Sequence, residues 1–129
     1  MRMIRSNLFN LLFYVWTVFM VVLFAPALLL PYPVTVWGQR LWARGVNLEM
    51  RLSAGIHVEF RGLQHRPRAG AIVAAKHQSA WDTLIWHDVL DDPAMVMKKE
   101  LLAIPVYGWF AIKAKMIPFD RKAGASALK

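Results

Sequence analysis

Charge is missing from one long stretch of the chain and mixed through the rest. Between Arg5 and Arg40 no residue is charged, and Leu8 to Ala25 reads LFNLLFYVWTVFMVVLFA, eighteen residues with only Asn10 and Thr17 polar. As a helix this run is about 27 Å long at ~1.5 Å per residue, close to the ~30 Å hydrocarbon thickness of a bilayer. The pattern predicts a membrane anchor. Arg2, Arg5 and the small-x-small Ala25-Pro26-Ala27 resemble a signal peptide, but the run continues through Leu28-Leu29-Leu30 and exceeds an ordinary h-region, so an uncleaved anchor is expected.

Pro26, Pro31 and Pro33 then break the helix, because each lacks an N–H and disfavours helix in the residue before it. From Val34 a second helix is readable, with Val34, Trp37, Leu41, Leu48 and Leu52 at three- and four-residue steps and Arg40, Arg44 and Arg51 beside them. An apolar stripe with Trp37 and Trp42 and a flanking arginine row suits a helix at headgroup level; packing on a protein core is the alternative. Residues 1–55 are therefore expected to form a membrane anchor with an interfacial amphipathic helix. Basic residues flank both ends of the apolar stretch, which leaves a single pass and a re-entrant hairpin both open. The fourteen Lys and Arg after the anchor favour a cytoplasmic remainder.

Residues 56–129 change character. His57-Val58-Glu59-Phe60-Arg61-Gly62 alternates as a short strand does, Pro67 and Gly70 mark a turn, and Ala71-Ile72-Val73-Ala74-Ala75 has the continuous apolar pattern of a buried parallel strand. Ser79 is a candidate helix cap with Asp82 three residues on, and Trp81 to Leu90 supplies the helix body. After Asp91-Asp92-Pro93, Ala94 to Met97 predicts a strand, Glu100 to Leu102 a short helix, and Met116 to Phe119 a further strand. The fold class expected is α/β: N-terminal hydrophobic membrane-anchoring helices followed by an incomplete, mostly parallel α/β domain.

Composition sharpens this reading. The chain has 129 residues, 57% of them apolar, no cysteine and a formal charge of +8. Such hydrophobicity excludes a disordered segment, and the lack of cysteine excludes a disulfide scaffold or thiolate metal site. The positive charge asks for an anionic partner. Nucleic acid is not expected, because the basic residues are dispersed and an apolar anchor would be unexplained. Membrane phospholipid is.

In α/β sheets chemistry sits beyond the carboxyl ends of the strands, where His77 falls. His77 and Asp82 are five apart, a step of about 140° on a continuous helix, so they meet only if His77 lies in the turn and Asp82 in the first helical turn. A carboxylate on one imidazole nitrogen fixes the tautomer and frees the other nitrogen to take a proton from a hydroxyl. His87 and Asp92 repeat the spacing, but read as a solvated helix face.

Lys76-His77-Gln78-Ser79-Ala80-Trp81-Asp82, then Met97-Lys98-Lys99-Glu100-Leu101, Ile104-Pro105, Gly108-Trp109 and Phe119-Asp120-Arg121, resemble in order the blocks of the glycerolipid acyltransferase family. The resemblance covers residues from about Ile56 onward. It implies an enzyme in which His77 is the general base and Asp82 its orienting partner. It also implies that Arg121 and Lys98 bind the acceptor's glycerol phosphate, with Lys99 a further point charge there. The implied reaction moves an acyl group from a thioester, acyl-CoA or acyl carrier protein, to the sn-2 hydroxyl of lysophosphatidic acid, giving phosphatidic acid. No metal or other cofactor is required, and the amides at the start of the Ser79 helix are candidate oxyanion donors. Another lysolipid or glycerol-3-phosphate as acceptor, and a non-enzymatic module that binds anionic lipid, are the alternatives. The setting expected is a bacterial inner membrane with the catalytic part cytoplasmic. Two further family blocks lie downstream of the arginine block, while this sequence runs eight residues past Arg121. The expectation is an N-terminal fragment, inactive by itself.

Overall fold

The computed structural model describes residues 2–68 and 70–120. Helix α1 (Arg2–Phe24) and helix α2 (Tyr32–Glu49) are joined by a 3₁₀ turn at Ala25–Leu28. They run antiparallel, since Arg5 Nε donates to the Ser53 carbonyl at one end while the rings of Phe24 and Trp37 meet at 5.6 Å at the other. Midway, Trp16 Nε1 donates to the Trp42 carbonyl (3.1 Å) and Trp42 Nε1 donates to Thr17 Oγ1 (3.2 Å). Thr17, a polar break in the apolar run, is thus a partner for an indole N–H that is otherwise costly to bury. Met3–Leu28, of mean hydropathy 2.3, is long and apolar enough to cross a membrane.

The face that α2 buries differs from the expected stripe. Trp37, Leu48 and Leu52 are 59%, 55% and 72% exposed, whereas Thr35, Gly38, Ala43 and Val46 are buried. Small side chains let the helices approach closely: a Cβ at Gly45 would lie 2.2 Å from the Trp16 ring, and one at Gly38 2.6 Å from Phe24. Two arginines of the expected headgroup row are instead used internally. Arg44 Nε donates to Asp88 Oδ1 (2.7 Å), and Arg40 Nη2 donates to the Asp91 carbonyl (3.0 Å). Both acceptors belong to helix α3 (Asp82–Val89) or the turn after it.

Val46, Met50 and Leu84 form a core cluster where α1, α2 and α3 meet, surrounded by Phe9, Phe13, Trp16, Trp42, Val58 and Trp81. Beyond α3, strands β1 (Val96–Lys98) and β2 (Ile117–Phe119) pair in parallel, with Val96 opposite Ile117 and Lys98 opposite Phe119. A 3₁₀ turn at Lys99–Ala103 and helix α4 (Tyr107–Lys113) make the crossover that parallel pairing requires. Gly108 permits their contact, since a Cβ there would stand 2.1 Å from the Leu102 carbonyl oxygen.

Two strand expectations are corrected. Residues 57–62 and 71–75 join no ladder, and 71–78 are exposed throughout, Ile72 fully. An apolar, β-branched run supplies propensity, but a strand exists through hydrogen bonds to a neighbour, and no described segment pairs with these in a ladder. The described chain is therefore mostly helical with a two-stranded parallel sheet. His87 is also corrected: it faces inward on α3 and is buried rather than solvated.

Candidate active site

Asp82 opens α3, and its side chain folds back over the turn before it. Oδ2 accepts the N–H groups of Gln78 (2.5 Å) and Ser79 (2.7 Å), while the Ser79 hydroxyl donates to Oδ1 (3.2 Å). This is half of a capping box: the acid reaches back to the backbone, whereas the serine hydroxyl goes to the acid and not to a helix N–H. The Gln78 amide, then the Ser79 amide, and lastly His77 hold the Asp82 carboxyl below the usual carboxylate range. It is a fixed anion at neutral pH.

His77 Nδ1 lies 3.5 Å from the same Oδ2. The five-residue spacing closes because residues 78–81 form a turn, with the Asp82 amide donating to the Ser79 carbonyl and the Thr83 amide to that of Ala80. The imidazole is 67% exposed and Asp82 only 22%, so the acid is sheltered and the ring reachable. His77 does not leave the end of a strand, since 71–75 forms none. The Ser79 amide, at the start of the helix expected to supply oxyanion donors, is already committed to Asp82, as is the Gln78 amide before it.

Two residues that sequence reasoning missed hold this turn in place. Trp81 Nε1 donates to Asn47 Oδ1 of α2 at 2.8 Å, and the Trp81 ring packs against the Val46–Met50–Leu84 cluster. The available signal was chemical: a half-buried indole N–H requires an acceptor. Alongside runs an open groove of about 250 Å³, lined by Phe60, Ala75, Trp81, Ile85, Trp86 and Val89 together with Lys76 and Asp82.

Lys98 and Lys99 lie on a different element, at the carboxyl end of β1. Both are exposed, and Lys99 Nζ stands 3.8 Å from Asp120 Oδ2, just past β2. Parallel register gathers Lys98, Lys99 and Asp120 at the carboxyl end of the sheet, the ordinary ligand side of such sheets. Arg121 lies outside the described residues. Among the described residues no three His, Asp or Glu side chains are grouped to hold a metal ion.

Comparison with known proteins points to the same family. An 88-residue stretch is 36% identical to a Pseudomonas aeruginosa PAO1 protein named 1-acyl-sn-glycerol-3-phosphate acyltransferase, covering 68% of this chain and 34% of that relative. The chain thus spans about a third of the relative's length. No solved structure matches it significantly. The acyltransferase family model matches residues 57–129, more than half of the chain and all of the segment carrying His77, Asp82 and the two lysines, and the chain belongs to that family.

Proposed function

We propose that this chain carries the catalytic base of an enzyme that transfers an acyl group from a thioester to the sn-2 hydroxyl of 1-acyl-glycerol-3-phosphate, yielding phosphatidic acid. The observation that supports it is the approach of His77 Nδ1 to Asp82 Oδ2 at 3.5 Å, with that oxygen anchored by two backbone amides. A carboxylate so held fixes the proton on Nδ1 and leaves Nε2 as the proton acceptor. In the reaction Nε2 takes the hydroxyl proton as the oxygen attacks the thioester carbonyl. The tetrahedral intermediate then expels the sulfur, the C–S bond breaks, and the imidazolium returns the proton to the thiolate. The donor is acyl-CoA or acyl carrier protein. Lys98, Lys99 and Arg121 are the cations assigned to the acceptor phosphate; only an arginine makes the bidentate contact.

The apolar hairpin supports a membrane-bound enzyme taking its acceptor from the bilayer. Outward-facing Tyr14, Val15, Val18 and Val22 of α1 are 59–68% exposed, an apolar surface that lipid covers well. The start of α1 and the turn that follows it are tied to polar groups elsewhere in the chain, Arg5 to Ser53 and Ala27 to Lys113. A helix crossing the membrane separates its two ends by the whole hydrocarbon layer, which favours the hairpin lying against one leaflet. The reaction is tested by following thiol release from acyl-CoA by the full-length protein with lysophosphatidic acid, other lysolipids or glycerol-3-phosphate as acceptor. Fastest release with lysophosphatidic acid is expected; release with none of them contradicts the reading.

A further inference from the structure

The turn between the two long helices is gripped by a distant part of the chain. Lys113, the last residue of α4, sets its ammonium against three carbonyl oxygens, those of Ala27 (2.5 Å), Leu28 (2.9 Å) and Leu30 (2.5 Å). Three donors thus meet three acceptors in the turn that ends the first long helix, where the dipole favours a cation; the Ala27 carbonyl also accepts the Leu30 amide (3.2 Å). Nearby, the Lys115 ammonium stands 4.2 Å from the centre of the Tyr32 ring, and the Tyr32 hydroxyl donates to Asp92 Oδ1 at 2.6 Å. Residues 27–32 are therefore held by contacts from both sides of the β1–α4–β2 unit.

Lys113 is also joined by short, fixed backbone to the sheet. Lys115 adopts φ 57°, and the Met116 amide donates to the Ala111 carbonyl (3.0 Å), so the chain turns sharply out of α4. The Ile117 amide then donates to the Met95 carbonyl (2.9 Å), and β2 delivers Asp120 beside Lys99. We propose that Lys113 is a positioning residue, which sets the carboxyl end of the sheet, and the acceptor-phosphate site there, at a fixed height over the apolar hairpin. This inference rests on the acyl-transfer reading above. A lipid held in a bilayer presents its phosphate at one depth, so the latch matters for that acceptor and not for one that diffuses freely in water.

The test compares Lys113→Met and Lys113→Arg in the full-length protein with two acceptors, a long-chain lysophosphatidate embedded in phosphatidylcholine vesicles and a short-chain, monomeric one. Because misplacement by about 1 Å costs up to ~10²-fold, Lys113→Met is expected to raise KM for the embedded acceptor about tenfold or more. Its kcat, and both constants for the soluble acceptor, change by less than about twofold, and Lys113→Arg restores the embedded KM. Equal losses on both acceptors, or no loss on either, overturn the proposal. Tyr32→Phe, which removes only the Asp92 hydrogen bond, is the milder second variant if Lys113→Met does not fold. A smaller rise in the embedded KM alone supports the latch, and none overturns it. Amide exchange at Leu29 and Leu30 reads the latch without turnover: it accelerates in Lys113→Met if Lys113 holds the turn, and unchanged protection refutes the latch. A wild-type protein that acylates neither acceptor refutes the acyl-transfer reading, and the exchange result still decides whether Lys113 holds the turn.

Discussion

The indole N–H of Trp81 donates to Asn47 Oδ1 across 2.8 Å, tying the residue just before Asp82 to the last turn of the second long helix. The apolar hairpin and the His–Asp pair are thereby joined through one hydrogen bond and the packing of the same indole. Replacing Asn47 by Ala leaves a half-buried donor unpaired, at a cost of about 1–3 kcal/mol. A lower urea midpoint is expected, together with a fall in turnover larger than that caused by substituting an exposed residue such as Leu48. Chemical denaturation followed by tryptophan fluorescence checks the first and thiol release the second.

Gly45→Ala is expected to destabilise the hairpin although alanine is the better helix former. The new methyl would sit 2.2 Å from the Trp16 ring, which is itself held by its hydrogen bond to the Trp42 carbonyl. Overpacking of this kind costs about 1–3 kcal/mol, against about 1 kcal/mol gained in helix propensity. Thermal unfolding of detergent-solubilised protein checks it: the melting temperature falls, whereas the same substitution at Gly70, which has open space around it, leaves it nearly unchanged.

Burial of His87 makes stability depend on acidity. Desolvation lowers its pKa from 6.5 to about 4, with Asp92 opposing the shift, so the folded chain holds this ring neutral through a range where the unfolded chain protonates it. The unfolded state binds more protons between those two values, and stability therefore drops as pH falls through that window, by up to about 1.4 kcal/mol per pH unit. Urea midpoints measured from pH 7 down to 4.5 should decline. The decline should be shallower in His87→Leu, which has no proton to bind.

What could be read from the sequence follows from how local each determinant is. The apolar run of α1, the proline-marked turn, and the α3 and β2 segments rest on periodicity and on residues adjacent in the chain, and the structure has them near the expected bounds. The buried face of α2 was misread because Gly38, Ala43 and Gly45 carry no hydrophobic signal. The two glycines contribute closeness to Phe24 and Trp16, which only the partner helix reveals. The approach of His77 to Asp82 was legible because a turn decides it within six residues. Asn47 and Lys113 were not, since each acts on groups 34 to 86 positions away.

The proposed chemistry turns on the imidazole of His77, and single-turnover acyl transfer by the full-length protein carrying His77→Ala, with acceptor binding measured on the same sample, tests it. The predicted result is unchanged affinity for vesicle-borne lysophosphatidate and a chemical step slower by roughly 10²- to 10⁴-fold. Asp82→Asn should fall between that variant and the wild type. A His77→Ala protein that acylates lysophosphatidate at close to the wild-type rate would contradict it.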